Sequence, residues 1–225
     1  MKLRVHFGLA FLLGAVLAAP GFGGQIVDRI VANVNGNVVL QSDWEKELAF
    51  EALLNARPVD SFTSAERKAA LDRLIDRELL REQVRPSEAL PAEQVAARLA
   101  EVRKLQPDAA TDQGWRTVLQ RHGLTESAIE KRLGEEIQLM KLVEARLRPS
   151  IQIDQHAVES YYRDELLPQL KRNGGREVAL PEVFGHIRDL LAEQRLNQLL
   201  SGWLASLRSA SQIQTPLSGA GDQSP

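Results

Sequence analysis

"NVNGNVVLQSDWEKEL", Asn33 to Leu48, is the stretch on which the fold turns. Valines alternate with polar residues around Asn35-Gly36, and a charged segment bearing Trp44 follows. Asn-Gly supplies the two positive-φ residues of a type I′ turn, the strongest short-range signal for a hairpin. Ile30, Ala32 and Val34 are expected on one face before the turn, with Val38 and Leu40 continuing it afterwards. A lone two-stranded hairpin is barely stable in water, so another element must cover it or add a strand. Ser42 to Glu45 reads as a capping box, with Ser42 as N-cap, and predicts a helix from about Asp43 to Asn55.

Upstream, Lys2 and Arg4 precede an almost wholly apolar run from Val5 to Leu17, and Ala18-Ala19-Pro20-Gly21 is small and turn-prone. That is the layout of a secretory signal peptide, residues 1–23, with cleavage after Ala18 or near Gly23 both fitting. The apolar run is too short for a bilayer core that needs about 20 residues, so no integral span is expected after cleavage. The expected destination is the periplasm. Losing Lys2 and Arg4 takes 28 basic residues to 26 against 30 acidic ones, a net charge of −4. Such a mixed, mildly acidic chain is no general nucleic-acid binder. Without cysteine it forms no disulfides in an oxidising compartment, and its stability must come from packing.

Downstream the chain reads as mainly α. Thr63 to Glu66 caps a helix to about Val84 with the stripe Leu71, Leu74, Ile75 and Leu79, and Glu78 inside it is expected either to snorkel at the edge or to pair with an arginine. Pro91 opens a helix carrying Val95, Leu99 and Val102, and a shorter helix around Trp115 to His122 stops at Gly123. Thr125 caps a long helix to Arg148, roughly 35 Å at 1.5 Å per residue, ended by Pro149. Asp154 caps a helix containing Tyr161-Tyr162 that is expected to end before Pro168. Ser211 to Thr215 alternates like a short strand that would pair with the hairpin and make it three-stranded; the alternative is tail from Ser211 onward. Residues 218–225 are expected to be a disordered tail.

No enzyme signature emerges. The histidines His6, His122, His156 and His186 stand singly, and there is no HExxH, paired cysteine or phosphate-cradling loop. No catalytic residue, metal site or cofactor is assigned.

The order of motifs carries a resemblance. "IVDRIVANVNGNVVLQSD" (26–43), "ALDRLIDRELLREQ" (70–83) and "LTESAIEKRLGEEIQLMKLVEARLRPSIQI" (124–153) resemble the N-terminal module of the SurA-like periplasmic chaperones and peptidyl-prolyl isomerases. "DQHAVESYYRDEL" (154–166) is similar to the helix that leads into a parvulin domain in that family, and Pro181 to Thr215 to its closing helix and strand. The resemblance implies one module over 24–217. It comprises a core to 150, an extension and short loop at 151–180, and a C-terminal segment at 181–217 that returns to the core. Between Leu166 and Pro181 stands only an interhelix loop where the family carries a parvulin domain, so no isomerase activity is expected.

The resemblance further implies an ATP-independent holdase for unfolded polypeptides, outer-membrane β-barrel precursors among them. The rival class is a secreted adaptor for one folded partner, or a companion to a separate isomerase. Candidate surface residues are Trp44, Phe50, Trp115, Met140, Tyr161, Tyr162 and Trp203, each of which has core as its alternative. On the last helix Val183, Phe184, Ile187, Leu190 and Leu191 face one way, and Leu196, Leu199, Leu200, Trp203, Leu204 and Leu207 nearly the other. Such a helix should meet two bodies, or else kink at Glu193–Arg195. The client groove is therefore placed at Val183, Phe184, Ile187 and Leu191 against Tyr161 and Tyr162, and Met140 is counted among the client-binding residues.

Overall fold

The computed structural model describes residues 28–84 and 92–216. The expected signal peptide, the Pro91 helix start and the tail from 218 lie outside the described residues.

Asn35 (φ +52°) and Gly36 (φ +93°) take the left-handed positions of the turn between β1 (Ile30–Val34) and β2 (Asn37–Leu40). Val34 pairs with Asn37, Asn33 with Val38 and Ala32 with Val39. Cross-strand partners share a face, so Val39 joins Ala32 and Val34 in the core while Val38 turns outward. The expected inward pair Val38 and Leu40 is thus off by one residue, because a two-residue turn sets the register. Ile30 is corrected too. A bulge between Ile30 and Ala32 shifts the alternation, burying Val31 and exposing Ile30. β3 (Ile213–Gln214) pairs antiparallel with the other edge of β1, giving the order β2-β1-β3. The chain ends therefore meet in one sheet, as the strand reading of 211–215 expected.

α1 (Gln41–Leu54) begins earlier than its capping box suggested. The strand runs straight into the helix, leaving no loop for Ser42 to cap. Leu40 is the N-cap, its N–H donated to Asp43 at 3.2 Å, and the Ser42 N–H goes to Asp28 at 3.2 Å. α2 (Ser64–Arg81) has the expected cap: the Glu66 N–H is donated to Thr63 Oγ1 at 3.2 Å and the Thr63 N–H to Glu66 at 2.8 Å. The Thr63 backbone and hydroxyl bonds, with Arg57, hold the Glu66 carboxyl down to about 2. α3 (Ala92–Lys104) is followed by α4 (Asp112–Arg121), which starts before Trp115 because Thr111 Oγ1 accepts the Gly114 N–H at 3.0 Å. Position 114 has no room for a side chain, since a Cβ there would stand 2.0 Å from the Asp108 carbonyl oxygen. Thr125 caps α5 (Glu126–Leu147) as expected.

Three apolar clusters make the body. Phe50 and Leu53 of α1 meet Val102, Trp115, Val118, Leu119, Ile129 and Leu133 of α3, α4 and α5. The inner sheet face covers Leu71, Ile75 and Leu79 of α2. Leu48, Ala52, Phe62 and Ala70 fill the space between α1 and α2. Trp44 bridges the last two and donates its indole N–H to the Arg67 carbonyl at 2.9 Å. Trp115 and Phe50 are core, and Trp44 is largely so.

α6 (Gln155–Tyr161) does not stop before Pro168. It passes through a π turn at Tyr162–Leu166 into α7 (Leu167–Arg172). The widened turn, in which the Leu167 N–H bonds the Tyr162 carbonyl, lets the helix continue through a residue that has no N–H to give. After residues 173–179 comes α8 (Leu180–Ala210), 31 residues and about 46 Å at 1.5 Å per residue. It is one unbroken helix that packs on α6, α5 and α2, so the two-body reading stands and the break at Glu193–Arg195 does not. Leu207 and Ile213 close the sheet core. Trp203 is half-buried, with the Arg146 guanidinium 4.7 Å above its ring.

Candidate client-binding surfaces

The residues Asp43, Lys46, Glu47 and Phe50 recur at helical spacing and so line one face of α1. That face, the outer residue Val38, and facing stretches of α2 and α5 enclose a cleft of about 490 Å³. Its apolar lining is Val38, Val39, Phe50, Leu74, Leu124 and Ile129. Its rim carries both signs, with Lys46, Arg77, Arg81, Lys131 and Arg132 beside Asp43, Glu78 and Glu135. Glu78 is engaged by Arg81, as expected for an acid inside the α2 stripe.

Glu47 holds this cleft together from below. It is 5% exposed and bonds Arg77 of α2, and Arg132 of α5 at 3.2 Å. Burial is the largest single influence on its carboxyl and pushes the pKa up. Arg132 and Arg77 together outweigh it, and the group stays below the usual carboxylate range. Arg132 also lies 4.9 Å over the Phe50 ring and reaches Glu136 at 3.4 Å, so its orientation is set from three sides. Such a surface offers dispersed apolar contact with polar bonds of either sign around it. It can take an extended chain without reading one sequence.

Of the surface candidates read from the sequence Phe50 lines this cleft, whereas the client-groove residues lie elsewhere, on the α6–α8 pair and α5. Val183, Phe184, Leu191, Tyr161 and Tyr162 are half-buried. The Tyr162 hydroxyl donates to the Val178 carbonyl at 2.8 Å, pinning the link to the π turn. Ile187 is buried at 3% exposure, and Val158 of α6 completely. In this conformation Ile187 is packing, and Leu190, 42% exposed, is the accessible apolar side chain of that half. Met140, on α5, is 55% exposed. Sequence reading missed the cleft. Its signal was the α1 face from Asp43 to Phe50, hidden because three of its four residues are charged and read as a solvated surface.

Residues 3–143 match the model of the SurA-like N-terminal domain. The chain belongs to that family. The match takes in the hairpin, the cleft and nearly all of α5, and leaves α6–α8 outside. No curated protein matches the chain. The family is of chaperone type. Between Leu166 and Pro181 the chain has α7 and the link 173–179, and the described residues form no parvulin-like fold. Among the described residues no cluster of three or more His, Cys, Asp or Glu is arranged to hold a metal. No described helix is long and apolar enough to cross a membrane.

Proposed function

We propose that this protein is an ATP-independent periplasmic holdase that binds unfolded polypeptides reversibly, with outer-membrane β-barrel precursors as clients. The observation that carries the reading is the mixed-charge, apolar-lined cleft within the part of the chain that matches the SurA-like domain. Many weak apolar contacts suit release without ATP, since no single contact must be broken at high cost. Barrel precursors alternate apolar and polar residues, which suits a lining and rim of this kind.

The groove at Val183, Phe184, Leu191, Tyr161 and Tyr162, with Met140 on α5, is proposed as the second contact surface; Ile187 joins it only when α8 lifts from α6. The chain is proposed to reach the periplasm by its N-terminal signal and to work there without isomerase activity of its own.

The test is aggregation of several unrelated unfolded clients with the purified chain, alongside Val38→Asp and Phe184→Asp variants. Suppression across clients, weakened by Val38→Asp, is the expected result. Suppression of none, with capture of one folded partner at fixed stoichiometry, would sink the holdase reading in favour of an adaptor. A protease-coupled Xaa-Pro peptide assay should stay at the buffer rate.

A further inference from the structure

The Asn35-Gly36 turn joins three segments far apart in sequence. Asn35 Nδ2 donates to Glu82 Oε2 at 2.8 Å and to Ser211 Oγ at 3.1 Å. Its Oδ1 accepts the Gln212 N–H at 2.8 Å, and its backbone N–H is donated to the Gln212 carbonyl at 2.9 Å. Asn37 Nδ2 donates to the other oxygen of Glu82 at 2.8 Å. One side-chain amide thus ties the hairpin to the end of α2 and to the start of β3. Its orientation follows from its partners, acceptors around the nitrogen and a donor at the oxygen.

The same dipeptide is chemically labile. Glycine has no side chain to shield its backbone nitrogen, which in a free chain attacks the preceding side-chain amide. We propose that Asn35 is a site of spontaneous deamidation that the docked C-terminal strand holds in check, and that conversion to a carboxylate makes its undocking permanent.

The chemistry needs only water. The Gly36 nitrogen loses its proton and bonds to Asn35 Cγ, closing a five-membered imide. The Cγ–Nδ2 bond breaks, and ammonia departs with a proton. Water then opens one of the two imide carbonyls, leaving aspartate or isoaspartate. The folded turn opposes the first step twice, and the docked strand supplies part of the second restraint. The Gly36 N–H is engaged by Asn33 Oδ1 at 2.8 Å, and the Asn35 amide is held in place by Glu82, Ser211 and Gln212. When β3 lifts away, Ser211 and Gln212 go with it, and of the bonds to the side-chain amide only the one to Glu82 is left to keep it from turning toward Gly36. The folded rate is then the rate of the undocked turn scaled by the fraction of open molecules. After conversion a carboxylate oxygen replaces Nδ2 beside Glu82, setting two like charges together where a bond had been. Isoaspartate also lengthens the backbone inside the turn and removes its type I′ geometry.

The experiment follows the full-length chain in mildly alkaline buffer, folded and in denaturant, by peptide mass and isoaspartate detection at position 35. The folded chain should convert about tenfold more slowly or better. Ile213→Ser, which loosens β3 without touching a partner of Asn35, should narrow that ratio. Asn35→Asp should raise hydrogen exchange at residues 212–214, and adding Glu82→Gln should restore protection. Equal folded and denatured rates, or a ratio that Ile213→Ser leaves unchanged, would overturn the gate. Unchanged protection in Asn35→Asp, or a double variant that folds no better than the single one, would overturn the consequence.

Discussion

At its C-terminal end α8 is tied down by charged and polar bonds, whereas its N-terminal half rests on α6 through buried aliphatic side chains. Arg208 donates to Asp76 at 2.6 Å and to the Asp72 carbonyl at 2.9 Å, Leu207 and Ile213 close the sheet core, and Asn35 grips Ser211 and Gln212. At the other end stand Val158, Ile187 and the single Tyr162–Val178 bond named above. Between them Arg148 reaches Glu193 at 2.7 Å, a bridge with both side chains well exposed to solvent. Exposed pairs of this kind contribute little. One helix therefore carries a specified, directional attachment and a looser apolar one. Opening should begin at the apolar end, where fewer bonds must break together.

The sharpest contrast comes from Glu47, which lies on the body side of this division. Glu47→Ala leaves Arg77 and Arg132 facing a gap with their charges unpaired, and should lower stability by about 3–5 kcal/mol in denaturant unfolding. The loss should be global, with the slope of the transition unchanged. A loss below the range of an exposed pair would mean that the two arginines find other partners and that the cleft lining is soft.

Ile187→Ala tests the other side. It should cost about 2–5 kcal/mol, toward the lower end if α8 settles onto α6. Hydrogen exchange should rise over α6 and residues 180–192 while α1, α2 and α5 keep their protection. Uniform loss across the chain would instead make α8 and the body one cooperative unit, and the two attachments equivalent.

Tyr162→Phe should have the smallest effect. Removing one hydroxyl bond to the Val178 carbonyl should lower stability by about 0.5–1.5 kcal/mol, with exchange rising first at residues 173–179. No change there would show that the link is held by its ends alone.

Elements with local causes were legible in the sequence. Asn35-Gly36, Thr63 with Glu66, Thr125, Asp154 and Gly123 each act through neighbours a few residues away, and each does in the fold what its residue type dictates. Errors arose where a distant or competing partner intervened. Asp28 and Asp43 took over the start of α1 from Ser42, a bulge moved Ile30 out, and a π turn carried α6 past Pro168. The candidate groove was legible as a helix face but not as a degree of burial. Amphipathic spacing says which side chains point together, and only the neighbour decides whether Ile187 is covered while Leu190 stays open.

By itself the sequence determined the helical body, the hairpin and the two-faced last helix, because periodicity, turn chemistry and capping depend on contacts within a few residues. Tertiary structure alone decided that Glu47 is buried between Arg77 and Arg132, and that a cleft opens above it. Those three residues come from α1, α2 and α5, and no local rule links a carboxylate to guanidinium groups on other helices. Their meeting depends on how the helices pack, and packing is set by the summed fit of Phe50, Ile129, Leu133 and their neighbours rather than by any one stretch of chain.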